Sequence, residues 1–88
     1  MTETAHSAIR AFMIESFLFG DESGLPADNE SLIANGIVDS TGVLELVAFI
    51  EDTFGFTMAD ADITPENLDS VDNIAAFVAR AGERAKAA

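Results

Sequence analysis

The residues with the plainest chemical potential lie in the stretch Gly36-Ile37-Val38-Asp39-Ser40-Thr41-Gly42-Val43-Leu44-Glu45-Leu46-Val47. An Asp-Ser pair stands there between a short apolar segment and an amphipathic one. Ser40 offers a hydroxyl that can carry a covalent group. Asp39 offers a carboxylate able to accept from the N–H groups of a helix's first turn. Taken alone, the pair reads first as a helix start, where Asp caps and Ser is tolerated. Other chemistries find less support. His6 is the only histidine and lies near the N-terminus, so it reads as a plain surface residue and a Ser-His-Asp triad has little basis. With one histidine and no cysteine, a His/Cys metal site is excluded by count. Asp60-Ala61-Asp62-Ile63-Thr64-Pro65 has a faint likeness to a calcium loop. It fails because proline replaces the turn glycine and Val71 stands where the bidentate acid belongs. Met13 and Met58 read as packing residues.

The elements that must position these groups have a helical apolar period almost throughout. Ala5, Ala8, Ile9, Phe12, Met13 and Phe17 predict a first helix over roughly residues 3 to 18. Two glycines and a proline between Gly20 and Pro26 break it. A long connection follows to Gly36, with a short turn expected at Ser31-Leu32-Ile33-Ala34. Loops of this length are uncommon in compact domains unless they have a task. Asp39 then caps a second helix with Val43, Leu46, Val47, Ile50 and Phe54 on one face, ending near Gly55. Thr64-Pro65 starts a third helix of one or two turns, with Thr64 capping. Ser70 caps the last, whose core face is Val71, Ile74, Ala75, Phe77, Val78 and Ala81. Arg80, Arg84 and Lys86 suit the negative end of that helix. No segment alternates as a strand would. The expectation is an all-α, four-helix bundle with a long first loop and a short third helix.

Bulk composition bounds the function. The 88 residues make one small domain, 1–88, that buries about 60–65% of its unfolded surface and has a net stability of a few kcal/mol. A deep, enclosed catalytic cleft is hard to build on so small a core. An apolar fraction of 49% is ample for folding. No apolar run approaches the roughly 18 residues that cross a bilayer, and no basic n-region opens the chain. A cytoplasmic monomer is the expectation. Acids outnumber bases 16 to 4, for a formal charge of −12. Every acid except Glu3 and Glu83 falls between Ala11 and Ala79, a span without Lys or Arg. Nucleic acid and anionic membrane are therefore implausible partners. Basic protein patches are attracted instead.

The helix behind Ser40 sharpens this reading. Asp39-Ser40 is followed by Glu45-Leu46-Val47, Ile50-Glu51-Asp52 and Phe54-Gly55, and later by Leu68, Ser70-Val71 and Ile74. In that joint spacing, over roughly residues 5 to 82, the chain resembles the acyl carrier protein family, which includes peptidyl, aminoacyl and D-alanyl carriers. The resemblance implies an acyl-carrier-protein-like four-helix bundle with 4′-phosphopantetheine, derived from coenzyme A, bonded covalently to Ser40. Asp39 would help a phosphopantetheinyl transferase recognise the site. Leu44, Glu45, Ala48, Glu51 and Asp52 would meet that enzyme and the acyl- or aminoacyl-loading ligases or synthases. Thr41 stands where many fatty-acid carriers have leucine, and Gly42 resembles D-alanyl carriers more closely. Fatty acyl, polyketide, peptidyl and aminoacyl cargoes all stay open. Gly42 costs up to about 1 kcal/mol in a helix relative to Ala, and a small residue there would let a partner or the arm approach closely. The alternative is a non-enzymatic acidic adaptor in which Asp39-Ser40 is only a cap and the second helix binds a basic surface.

Overall fold

The computed structural model describes the backbone of residues 2–87 and the side chains of residues 5–82. Four α-helices lie among the described residues: α1 Thr2–Phe17, α2 Ser40–Phe54, α3 Pro65–Leu68 and α4 Val71–Ala87. Two 3-10 turns, Glu22–Gly24 and Asp60–Asp62, punctuate the connections, and no described residue is in a strand. The all-helical expectation holds, including the long first loop and the single-turn third helix.

Local chemistry sets most boundaries. Leu18 and Gly20 both donate to the Ile14 carbonyl, at 3.2 and 2.9 Å, which closes α1. Phe19 takes the left-handed cap position at φ 54, and its ring is 94% exposed. Gly55 closes α2 at φ 76, donating to the Glu51 carbonyl at 3.0 Å, as glycine does most readily. Ser70 caps α4: its Oγ accepts from the Asn73 N–H at 3.0 Å, which satisfies the one polar side chain of the described core. Thr64 departs from expectation. Pro65 stands at the first helical position, but the Thr64 hydroxyl makes no capping bond; the N–H groups of Asn67 and Leu68 go to the Thr64 carbonyl.

The core is one continuous cluster around α4. Val71, Ile74, Ala75, Phe77, Val78 and Ala81 are all buried, as the 3.6-residue period requires. They meet Ile9 and Met13 of α1, Leu46 and Ile50 of α2, Leu68 of α3, and Met58. Leu32 and Val38 plug the same core from the long loop. Each large side chain removed from water contributes about 1.5–3 kcal/mol. The backbones of α1 and α3 approach α4 closely, whereas α1 and α2 are joined through rings. Phe12 and Phe49 stack at 4.2 Å, with Phe17 edge-on to Phe12 and Phe54 edge-on to Phe49. The radius of gyration, 12.3 Å, matches the roughly 12 Å expected of a folded chain this long. Arg84 and Lys86 lie outside the described side chains.

Candidate functional site

Asp39 is the N-cap of α2, with extended backbone (φ −110, ψ −174). Its Oδ1 accepts from the Gly42 N–H at 2.7 Å, and its carbonyl accepts from the Val43 N–H at 2.9 Å. The first bond satisfies an otherwise orphaned donor of the first turn, and the second is the first regular bond of the helix. Ser40 is therefore the first helical residue, at the positive end of the α2 dipole. Asp39 and Ser40 are both exposed, and no described residue is hydrogen-bonded to the Ser40 hydroxyl. The hydroxyl faces water, ready to be approached.

Gly42 has a different cause from the one expected. It is buried, and a Cβ there would lie 2.8 Å from Phe17 Cε1 and 3.2 Å from Asp39 Oδ1. The group that needs the small residue is the chain's own Phe17, at the end of α1. That contact ties the end of α1 to the first turn of α2, directly behind Ser40. A glycine inside a helix's first turn was the only trace of it in the sequence.

The residues expected to meet partners do share one surface. At about 100° per residue, Leu44, Glu45, Ala48, Glu51 and Asp52 fall within one arc of about 120°, and Ser40 sits at its head. Leu44 is 68% exposed, and Glu45, Ala48 and Asp52 are exposed as well. Glu51 is half-buried and already engaged: its Oε2 accepts from the Met58 N–H at 2.8 Å, anchoring the chain that leaves α2. Beside Ser40, one turn along the helix at Val43, lies an apolar cleft of about 90 Å³. Ile33 and Val38 of the loop, Val43 of α2, and Ile63, Pro65 and Leu68 around α3 line it. Its volume is about three times a water's share of the liquid.

No cation faces the Ser40 hydroxyl among the described side chains. Arg10 Nη1 pairs with Asp28 Oδ2 at 2.5 Å, and Arg80 Nη2 donates to Asn67 Oδ1 at 3.0 Å. His6 is not the plain surface residue its position suggested. Its Nε2 lies 2.7 Å from Asp72 Oδ1, and only 17% of its side chain is exposed, so it bridges α1 to α4 rather than serving Ser40. His6, Asp28 and Asp72 bring ligand atoms within 4.8 Å of one another. The Arg10 guanidinium on Asp28 opposes a metal ion there, and the group is held by the Arg10–Asp28 ion pair and the His6–Asp72 hydrogen bond. No described helix is long and apolar enough to cross a membrane.

Compared with known proteins, the chain matches no family model, no curated protein and no solved structure.

Proposed function

We propose that this chain is a discrete carrier protein of the acyl-carrier type, with 4′-phosphopantetheine attached through Ser40 Oγ. The observation that carries the reading is a water-facing serine hydroxyl, set by an Asp39 cap at the head of a continuous acidic and apolar face. In the modification, Ser40 Oγ forms a bond to the phosphorus that bears pantetheine in coenzyme A. The pyrophosphate P–O bond breaks, the nucleotide half leaves, and the hydroxyl proton passes to a base of the transferase. The arm's thiol, which a cysteine-free chain lacks, then holds the cargo as a thioester.

Electrostatics favours covalent attachment over binding. An exposed phosphate at a helix N-terminus gains only about 0.3–1 kcal/mol from the dipole. Arg10 and Arg80 are engaged by Asp28 and Asn67, and the net charge of −12 repels a phosphodiester. A bond through Oγ removes the need for affinity, and the same repulsion keeps the arm extended and mobile. The arc of exposed Leu44, Glu45, Ala48 and Asp52, with half-buried Glu51 at its margin, suits transferases and loading enzymes with basic patches. The apolar cleft beside Val38 and Val43 suits a small sheltered acyl group. The protein itself catalyses no step.

The test is direct. Incubation with coenzyme A and a broad-specificity phosphopantetheinyl transferase adds the mass of one phosphopantetheine to the intact chain. Ser40→Ala abolishes the gain while the helical circular-dichroism spectrum is retained. No mass gain by the wild-type chain leaves the acidic adaptor as the reading.

A further inference from the structure

The chain leaves α1 after Phe17 and must deliver Ser40 to a defined place at the end of a long loop. The grip on that loop comes from Asp69, at the junction of α3 and α4. Ser31 Oγ donates to the Asp69 carboxylate, lying 2.9 Å from Oδ1 and 2.7 Å from Oδ2. The Ile33 N–H donates to Oδ1 at 2.9 Å. The Leu32 N–H donates to the Asp69 carbonyl at 2.6 Å. One residue thus holds three consecutive residues of the loop.

The grip is relayed to the cap of α2. Ser31 organises the turn that follows, its Oγ accepting from the Ala34 N–H at 2.9 Å and its carbonyl from the Asn35 side chain at 2.7 Å. The Leu32 carbonyl accepts from the Ile37 and Val38 N–H groups, at 2.9 and 3.3 Å. Leu32 and Val38 are buried at 0% and 3% exposure, so both ends of this closed turn are plugged into the core. The next residue is Asp39. The path from the Asp69 carboxylate to the helix cap is an unbroken series of hydrogen bonds and buried side chains.

We propose that Asp69 is a positioning residue for Ser40. By fixing residues 31–33 it sets the direction in which Asp39 and Ser40 enter α2, and it holds Ile33 and Val38 as one wall of the adjoining cleft. Asp69 touches neither the hydroxyl nor the arm and acts through the loop alone. The inference rests on the reading of Ser40 as an attachment point. Both carboxylate oxygens are engaged, Oδ1 by the Ile33 N–H and both by the Ser31 hydroxyl, so an amide replaces one charged acceptor by a donor and weakens the grip.

The experiment measures transferase kinetics with coenzyme A on wild type, Asp69→Asn, Ser31→Ala and, as a stability control, Val78→Ala in the core. All are assayed at a temperature where circular dichroism shows each folded. Amide exchange is followed on the same proteins by NMR. Asp69→Asn is expected to lower kcat/KM about tenfold, mainly through KM, short of the ~100-fold that a displacement of about 1 Å can cause. Ser31→Ala, which leaves the Ile33 N–H bond in place, falls between Asp69→Asn and wild type. Exchange at Ile33, Ile37 and Val38 accelerates in both, with Ile74 and Phe77 unchanged. Val78→Ala lowers Tm but leaves KM at the wild-type value. A KM for Asp69→Asn that is equal to that of wild type or Val78→Ala overturns the positioning role while leaving the carrier reading intact. A wild-type chain that gains no mass overturns both.

Discussion

Gly42→Ala tests whether the α1–α2 junction behind Ser40 is as tight as its geometry indicates. The new Cβ lies 2.8 Å from Phe17 Cε1 and 3.3 Å from Cζ. Ordinary carbon contacts are about 3.5–4.0 Å, so the ring must withdraw by roughly 0.7–1.2 Å. It is not free to do so at no cost. Phe17 lies edge-on to Phe12 at 5.6 Å, and Phe12 is stacked on Phe49. Overpacking of this kind costs about 1–3 kcal/mol, while replacing a helical glycine by alanine returns at most about 1 kcal/mol. The net expectation is destabilisation by about 1 kcal/mol, a fall in Tm of about 4–8 °C for a domain of this size. In a Phe17→Ala background the ring contact is gone and only the 3.2 Å approach to Asp39 Oδ1 is left, so the same substitution is neutral or stabilises by up to about 1 kcal/mol. The coupling between the two positions is then about 1–2 kcal/mol. Urea unfolding followed by far-UV circular dichroism measures it, since the chain has neither tryptophan nor tyrosine. A Gly42→Ala effect that agrees in the two backgrounds within about 0.5 kcal/mol refutes the contact.

Three further outcomes follow from the site. Asp39→Ala removes the acceptor of the Gly42 N–H and lowers stability by about 1 kcal/mol in urea titration, whereas Asp39→Asn stays within a few tenths. Glu51→Ala leaves the Met58 N–H without its charged partner and costs about 1.5–3 kcal/mol, while Glu45→Ala, at an exposed position, stays within about 0.5 kcal/mol. Glu45→Lys slows phosphopantetheine transfer and flattens its dependence on salt, because the attraction it removes is screened over about 8–10 Å. Equal salt slopes for wild type and Glu45→Lys would remove that residue from the recognition face.

The division of labour on α2 follows from its wheel. The buried side, with Gly42, Leu46 and Ile50, is bound into the core, and the opposite side carries Ser40 at its head and acids along its length. Glu51 lies at the margin and serves the fold through Met58, so its substitution changes stability as well as charge. Recognition by the acidic face is therefore tested most cleanly at Glu45 and Asp52.

Much of this architecture is written in short stretches of sequence. Asp39 before an amphipathic run and Gly55 after it delimit α2, because capping needs only neighbours within one turn and a residue that accepts positive φ. Ser70 and the six core residues of α4 are legible for the same reason: a 3.6-residue period is a local property. The exposed arc from Leu44 to Asp52 follows from helical spacing once the buried side is known. What sequence alone leaves undecided is which distant group each side chain meets. His6 finds Asp72, Gly42 makes room for Phe17, Glu51 holds Met58, and Asp69 holds Ser31 and Ile33. Thr64 shows the same limit in reverse, since its hydroxyl has the chemistry of a cap and is not used. These pairings depend on how α1, the long loop and α4 close on one another, and only the packed core selects among the many partners that local chemistry allows.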